Sequence, residues 1–112
     1  MIGMDVIQND IRDAIEKELC SANERFPLFA SLHEAIAVIA EEKEEAGEEM
    51  QRVTSSLLDA WCQIRKNEPK TALEHLVRLK FSAEALAIEA CQVAAMCEKA
   101  AQSAASWRKD ES

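Results

Sequence analysis

The chain has 112 residues, 48% of them hydrophobic and 30% charged, with a formal net charge of -8. This composition excludes a disordered chain, and the length makes one domain that can bury a real core but lies near the lower limit for doing so unaided, which points to association with a copy of itself. The negative balance excludes a general nucleic-acid or anionic-membrane surface, because such surfaces rest on Lys and Arg neutralising phosphate.

With 2 Gly and 2 Pro there are few residues that break regular structure, so the expectation is all-α. Cysteines stand at 20, 62, 91 and 97 without a Cys-x-x-Cys pair or a zinc-like His spacing. That pattern predicts reduced, buried thiols rather than a disulfide framework. Asp5, Asp10, Arg12 and Asp13 interrupt the opening stretch, so it does not read as a signal peptide. No run reaches the ~18 apolar residues of a membrane span, and a cytoplasmic protein is expected.

From about residue 5 to 23, Val6, Ile7, Ile11, Ala14, Ile15, Leu19 and Ala22 recur at three and four, which predicts a first amphipathic helix. In the connector after it, Phe26-Pro27-Leu28-Phe29, Pro27 disfavours helical geometry at Phe26, and the aromatics are expected to tuck under the bundle as a plug. Ser31-Leu32-His33-Glu34 then reads as a capping box opening a long helix from 31. Its apolar track, Ile36, Ile39, Ala46, Met50, Val53, Leu57, Ala60 and Ile64, is close to a heptad seam with a fault at Lys43. Gly47 and Thr54-Ser55-Ser56 are its weak points, and a bend or break at the latter is one outcome.

Asn67-Glu68-Pro69 punctuates next, with Asn67 read as a helix cap and Pro69 as an early helical position. A third helix is expected over about 70–105, where Leu76, Leu79, Ala83, Leu86, Ala90, Val93, Cys97, Ala100 and Ala104 keep a seven-residue repeat that becomes rich in small residues. After Trp107 the pattern stops and fraying is expected. The expected architecture is an antiparallel helical bundle of three to four helices per chain, a single domain over 1–112, with four-helix packing completed by oligomerisation.

Six carboxylates, Glu41, Glu42, Glu44, Glu45, Glu48 and Glu49, crowd one helical stretch with Lys43 as the only opposing charge. Like charges three or four apart on a helix cost roughly 0.2–0.5 kcal/mol per pair, so the crowding is offset either by solvent on an open helix face or by a cation. Glu42 and Glu45 at i, i+3 suit a hard divalent ion that takes oxygen ligands. In the third helix, Glu89 and Gln92 stand at i, i+3 among Ala87, Ile88, Ala90, Cys91 and Val93, where a Glu wants water, a hydrogen bond or a shared cation.

Glu24-Arg25-Phe26-Pro27-Leu28-Phe29-Ala30-Ser31-Leu32-His33-Glu34-Ala35-Ile36-Ala37-Val38-Ile39, running into Glu41-Glu42-Lys43-Glu44-Glu45, resembles the small all-α MazG-like nucleotide pyrophosphohydrolases, especially their short phage and prophage-type members. Glu89-Ala90-Cys91-Gln92-Val93-Ala94-Ala95-Met96 is similar to the later helix of those members. The resemblance implies a Glu-x-x-Glu pair on one helix and a Glu-x-x-Asp pair on another, holding Mg²⁺, or Mn²⁺ in its place, against the phosphates of a nucleoside triphosphate. Carried over, it makes Glu42, Glu45, Glu89 and Gln92 the metal set, with Gln92 standing where the family has Asp. In such a site Glu41 or Glu44, outside the main pair, is expected to orient the attacking water, and Lys43, which interrupts an apolar track inside the acidic stretch, is expected to meet phosphate charge ahead of Arg78, Lys80 and Lys99.

The expected assembly is a homodimer or homotetramer acting on a nucleotide, with no nucleic-acid or membrane partner. Two other readings stand beside it. One is a non-catalytic helical oligomerisation or interaction module that has lost the metal, favoured by Gln92 and by the long excursion between Glu45 and Glu89. The other is a generic bundle in which the carboxylates of Glu42, Glu45 and Glu89 point to different sides.

Overall fold

The computed structural model describes residues 2–25 and 28–111, with side chains described over 5–25 and 28–107. Three helices account for nearly all of it: α1 (Ile2–Arg25), α2 (Leu32–Arg65) and α3 (Pro69–Glu111), with no strand among the described residues. The all-α expectation holds. No helix among the described residues is long and apolar enough to cross a membrane.

Local chemistry accounts for where the helices start and stop. The Ser31 hydroxyl accepts a hydrogen bond from the Glu34 amide at 3.1 Å, the first half of the predicted capping box, and Ala35 N–H closes the first turn onto Ser31 C=O at 3.1 Å. Arg25 and Arg65 sit in the last turns of α1 and α2, where positive charge complements the helix dipole.

At the other end of α2, Glu68 N–H reaches Gln63 C=O at 2.9 Å and Asn67 N–H reaches Ile64 C=O at 3.0 Å. That pairing is a Schellman motif, and it needs a left-handed residue just past the helix; Asn67, with φ of 59°, is that residue. Asn67 therefore ends α2 instead of opening α3. The first turn of α3 runs from Glu68, whose carbonyl accepts from Ala72 N–H at 3.0 Å, with Pro69 in the first helical position, where its missing N–H costs nothing.

Helix α2 is unbroken through the weak points read from the sequence. The Thr54 hydroxyl donates to the Met50 carbonyl at 3.0 Å, so it is satisfied one turn back along its own helix. Gly47 keeps helical geometry, and a Cβ built there meets nothing within 4 Å. Its lack of a side chain serves no close approach, so Gly47→Ala is expected to stabilise the protein by about 1 kcal/mol, read as a higher urea midpoint at unchanged slope. Helix α3 also continues to Glu111, past the Trp107 at which the sequence pattern ends.

The chain forms two compact units, Met1–Lys43 with Ala90–Ser112, and Glu44–Glu89. The first is built around Phe29, Ala35, Ala95 and Met96, against which Ile15, Leu19 and Ala22 of α1 pack together with Val38, Ile39, Ala100 and Trp107. Phe29 is the predicted plug; Phe26 and Pro27 of the same connector lie outside the described residues.

Phe29 is anchored by its backbone as well as its ring. Its N–H donates to the Ser103 hydroxyl at 2.9 Å, and its carbonyl accepts from the Trp107 indole at 3.0 Å. Ser103 in turn donates to the Lys99 carbonyl at 2.7 Å. Lys99, Ser103 and Trp107 are successive i, i+4 positions, and from this one stripe of α3 Ser103 and Trp107 satisfy the N–H and carbonyl of buried Phe29, which has no secondary structure to do so.

The second unit is a helical hairpin of α2 and α3 around the Asn67 turn. Its buried apolar residues are Ala60 and Ala72, while half of the predicted α2 seam, including Met50, Leu57 and Ile64, is exposed. The cysteine expectation fails in part: all four thiols are free, but Cys20, Cys62 and Cys97 are exposed and Cys91 is half-buried. Helical rotation is the reason, since Cys62 lies two residues, about 200° of turn, past buried Ala60.

Candidate active site

The acidic stretch lies wholly within α2, so its spacing becomes a geometric statement: residues three apart share a side of the helix. Glu42 and Glu45 share one, and a carboxylate oxygen from each lies within 4.8 Å of the other and of one from Glu89 on α3. Glu42 and Glu89 are half-buried and Glu45 is exposed. Three carboxylate oxygens this close could hold a metal ion, although exposed acidic groups also gather without one.

The donor chemistry fits a hard cation. Three carboxylates in such proximity repel one another, and Mg²⁺ or Mn²⁺ takes oxygen ligands while removing that repulsion. Sulfur and imidazole, which would favour softer metals, do not belong to the cluster.

The remaining acids divide by exposure. Glu41, Glu44 and Glu48 are exposed, and Glu49 is engaged by Arg52 one turn on. Lys43 is exposed as well, on the same turn as Glu42. Lys80 lies 3.8 Å from Glu84 and stacks 5.6 Å from the Phe81 ring centre, and Arg78 borders a polar groove with Arg52 and Ser55.

Within the first unit, a cavity of about 490 Å³ opens between the helices, and Glu42 and Gln92 both line it. Arg25, Phe29, Glu34 and Lys99 are also among its lining residues. Lys99 is only 3% exposed, and its ammonium stands 5.0 Å from the centre of the Phe29 ring, an attractive placement over the negative face of the aromatic. Glu42, Glu89, Gln92 and Lys99 all have partners, and no buried side-chain nitrogen or oxygen among the described residues is left unsatisfied.

Sequence reasoning ranked Lys43 above Lys99 because Lys43 interrupts an apolar track. Lys43 does not line the cavity and Lys99 does. Arg25 carried no sequence signal beyond a helix-terminal charge. The signal for Lys99 was present in its spacing to Ser103 and Trp107, a polar stripe in the small-residue half of α3, but its meaning depends on Phe29 lying beneath it.

No family model, no curated protein and no solved structure matches this chain.

Proposed function

We propose that the chain is a Mg²⁺-dependent nucleoside triphosphate pyrophosphohydrolase of the MazG-like kind, or a diverged relative of one. The observation that carries the reading is the convergence of Glu42, Glu45 and Glu89. These three carboxylates hold the cation, and Gln92 lends a neutral amide oxygen that cannot act as a base. A bound Mg²⁺ or Mn²⁺ supplies Lewis-acid chemistry, making a water more acidic and screening the phosphate oxygens.

The protein's own residues do the rest. Glu41 or Glu44, both exposed beside the metal pair, orients the attacking water and takes its proton as the water oxygen bonds to the α-phosphorus. The bond from that phosphorus to the bridging oxygen breaks, and pyrophosphate leaves with the electron pair. Lys99 and Arg25 set positive charge in the cavity that Glu42 borders, and Lys43 adds charge from the solvent side.

The test is pyrophosphate release measured across the common and modified nucleotides with Mg²⁺ or Mn²⁺. Release from at least one nucleotide, dependent on the metal, is expected. Complete inactivity together with no metal binding selects the second reading, a non-catalytic helical interaction module; Gln92, neutral where the family carries an acid, is the observation that favours it.

A further inference from the structure

The Glu44–Glu89 unit is a hairpin that turns at Asn67, so residues of α2 and α3 equally distant from Asn67 lie across from one another. By that register Arg52 is opposite Ser82, and Ser56 is opposite Arg78. These four residues and Ser55 line one groove of about 480 Å³. The groove shares no residue with the carboxylate cluster of Glu42, Glu45 and Glu89, or with the cavity that Glu42 borders. Along α2, Arg52 stands about 10 Å beyond Glu45.

The wall of this groove is rich in donors. A guanidinium offers five N–H groups and no acceptor, and each hydroxyl offers one O–H. A helical hydroxyl often directs its O–H to a carbonyl one turn back, as Thr54, Ser103 and Ser106 do here at 3.0, 2.7 and 2.9 Å. Among the described residues, no hydrogen bond ties Ser55, Ser56, Ser82 or the Arg78 guanidinium to another protein group. Ser56 and Ser82 are half-buried, so their hydroxyls belong to the wall and not to an open helix face.

We propose that this groove binds a phosphate group, either a free phosphate or pyrophosphate ion or the phosphate of a nucleotide. Phosphate oxygens accept from several donors at once, and a guanidinium pairs with two of them in a planar fork. The two arginines come from different helices, and the hydroxyls fill the space between them with further donors.

Charge in the groove gives the proposal a sign. Glu48 also lines it, and Glu49 engages Arg52. Arg78 has no carboxylate partner among the described residues, so it is the cation that an incoming anion meets without displacing a protein group. A bound anion is repelled by Glu48 and held by Arg78. A bound cation would show the reverse.

This proposal does not rest on the metal site, and either can fail without the other. Its test is titration of the full chain with orthophosphate, pyrophosphate and adenosine monophosphate, followed by amide resonances in heteronuclear NMR. Chelator keeps divalent metal out, and sodium chloride at matched ionic strength is the control. At about 0.01 M ionic strength the screening length is ~30 Å, so charge attraction is retained. Saturable shifts at Ser55, Ser56 and Ser82 are expected with at least one of the three phosphates and not with chloride. Equal affinity for orthophosphate and the nucleotide identifies a free ion as the source; tighter nucleotide binding identifies its phosphate.

Arg78→Gln is expected to weaken binding by about tenfold or more, Glu48→Gln to tighten it, and Lys80→Gln, the same charge change outside the groove, to leave it within about twofold. Glu42→Ala with Glu45→Ala should bind as the parent does. No saturable shift with any phosphate, undiminished binding in Arg78→Gln, or weaker binding in Glu48→Gln overturns the proposal. Should Arg78→Gln lose far-UV helicity, Ser82→Asp, which sets a carboxylate into the groove, is read in the same way.

Discussion

Replacing Glu42 and Glu45 together with alanine is expected to abolish both pyrophosphate release and the rise in melting temperature on adding Mg²⁺. For the parent protein the size of that rise follows from mass action. An ion that binds only the folded state at a hundred times its dissociation constant stabilises by about 2.7 kcal/mol. For a domain of this size about 1 kcal/mol shifts the midpoint by roughly 4–8 °C, so a rise on the order of 10 °C is expected.

The metal-free protein should respond little. Removing two of the three clustered carboxylates relieves like-charge repulsion worth roughly 0.2–0.5 kcal/mol per pair and removes the contact that Glu42 makes, two effects of opposite sign, so the double variant should melt close to the parent without metal. A general loss of structure would lower it. Thermal melts of both proteins with and without Mg²⁺ separate the two effects, and an unchanged melt of the parent on adding Mg²⁺ removes the site. Glu41→Gln and Glu44→Gln leave the clustered carboxylates in place, so both should keep the Mg²⁺ shift, and one should lose turnover.

The second large effect is on stability. Phe29→Ala is expected to cost about 3–5 kcal/mol, a large share of the roughly 5–15 kcal/mol that holds a small domain together. Phe29 is 5% exposed and is the largest buried member of its cluster, the others being two alanines and a methionine, so truncating it leaves a cavity. The substitution also strips the ring from beneath the Lys99 ammonium. Lys99 is left with less to balance its burial.

Phe29→Leu keeps most of the volume and should cost less. Phe81→Ala, at a ring that is 60% exposed, should cost least of the three. Urea midpoints at constant slope rank the variants, and a Phe29→Ala midpoint no lower than that of Phe81→Ala would contradict the plug role. None of these substitutions removes the Phe29 N–H or carbonyl that pair with Ser103 and Trp107, so the comparison is aimed at the ring.

Much of the helical skeleton was legible before any coordinates. Periodicity marks α1 and α3, Ser31 opens α2 through a local hydrogen bond, and Pro69 marks the start of α3, because each of these signals acts within a turn or two of helix. Asn67 was misread for a related reason. A residue between two helices can end one or begin the other, and its left-handed backbone, closed by Glu68 onto Gln63, decides the matter.

The candidate site divides along the same line. Sequence alone placed Glu42 beside Glu45, since three residues on one helix share a side, and it named Glu89 as an acid in need of a partner. Only the tertiary structure decided that Glu89 meets that pair, that Lys99 and not Lys43 lines the cavity with Glu42, and that one edge of the α2 apolar track is uncovered. Helix formation is a local free energy that neighbours in sequence can set. Which side chains converge depends on how helices rotate and approach, a balance struck among residues far apart in the chain.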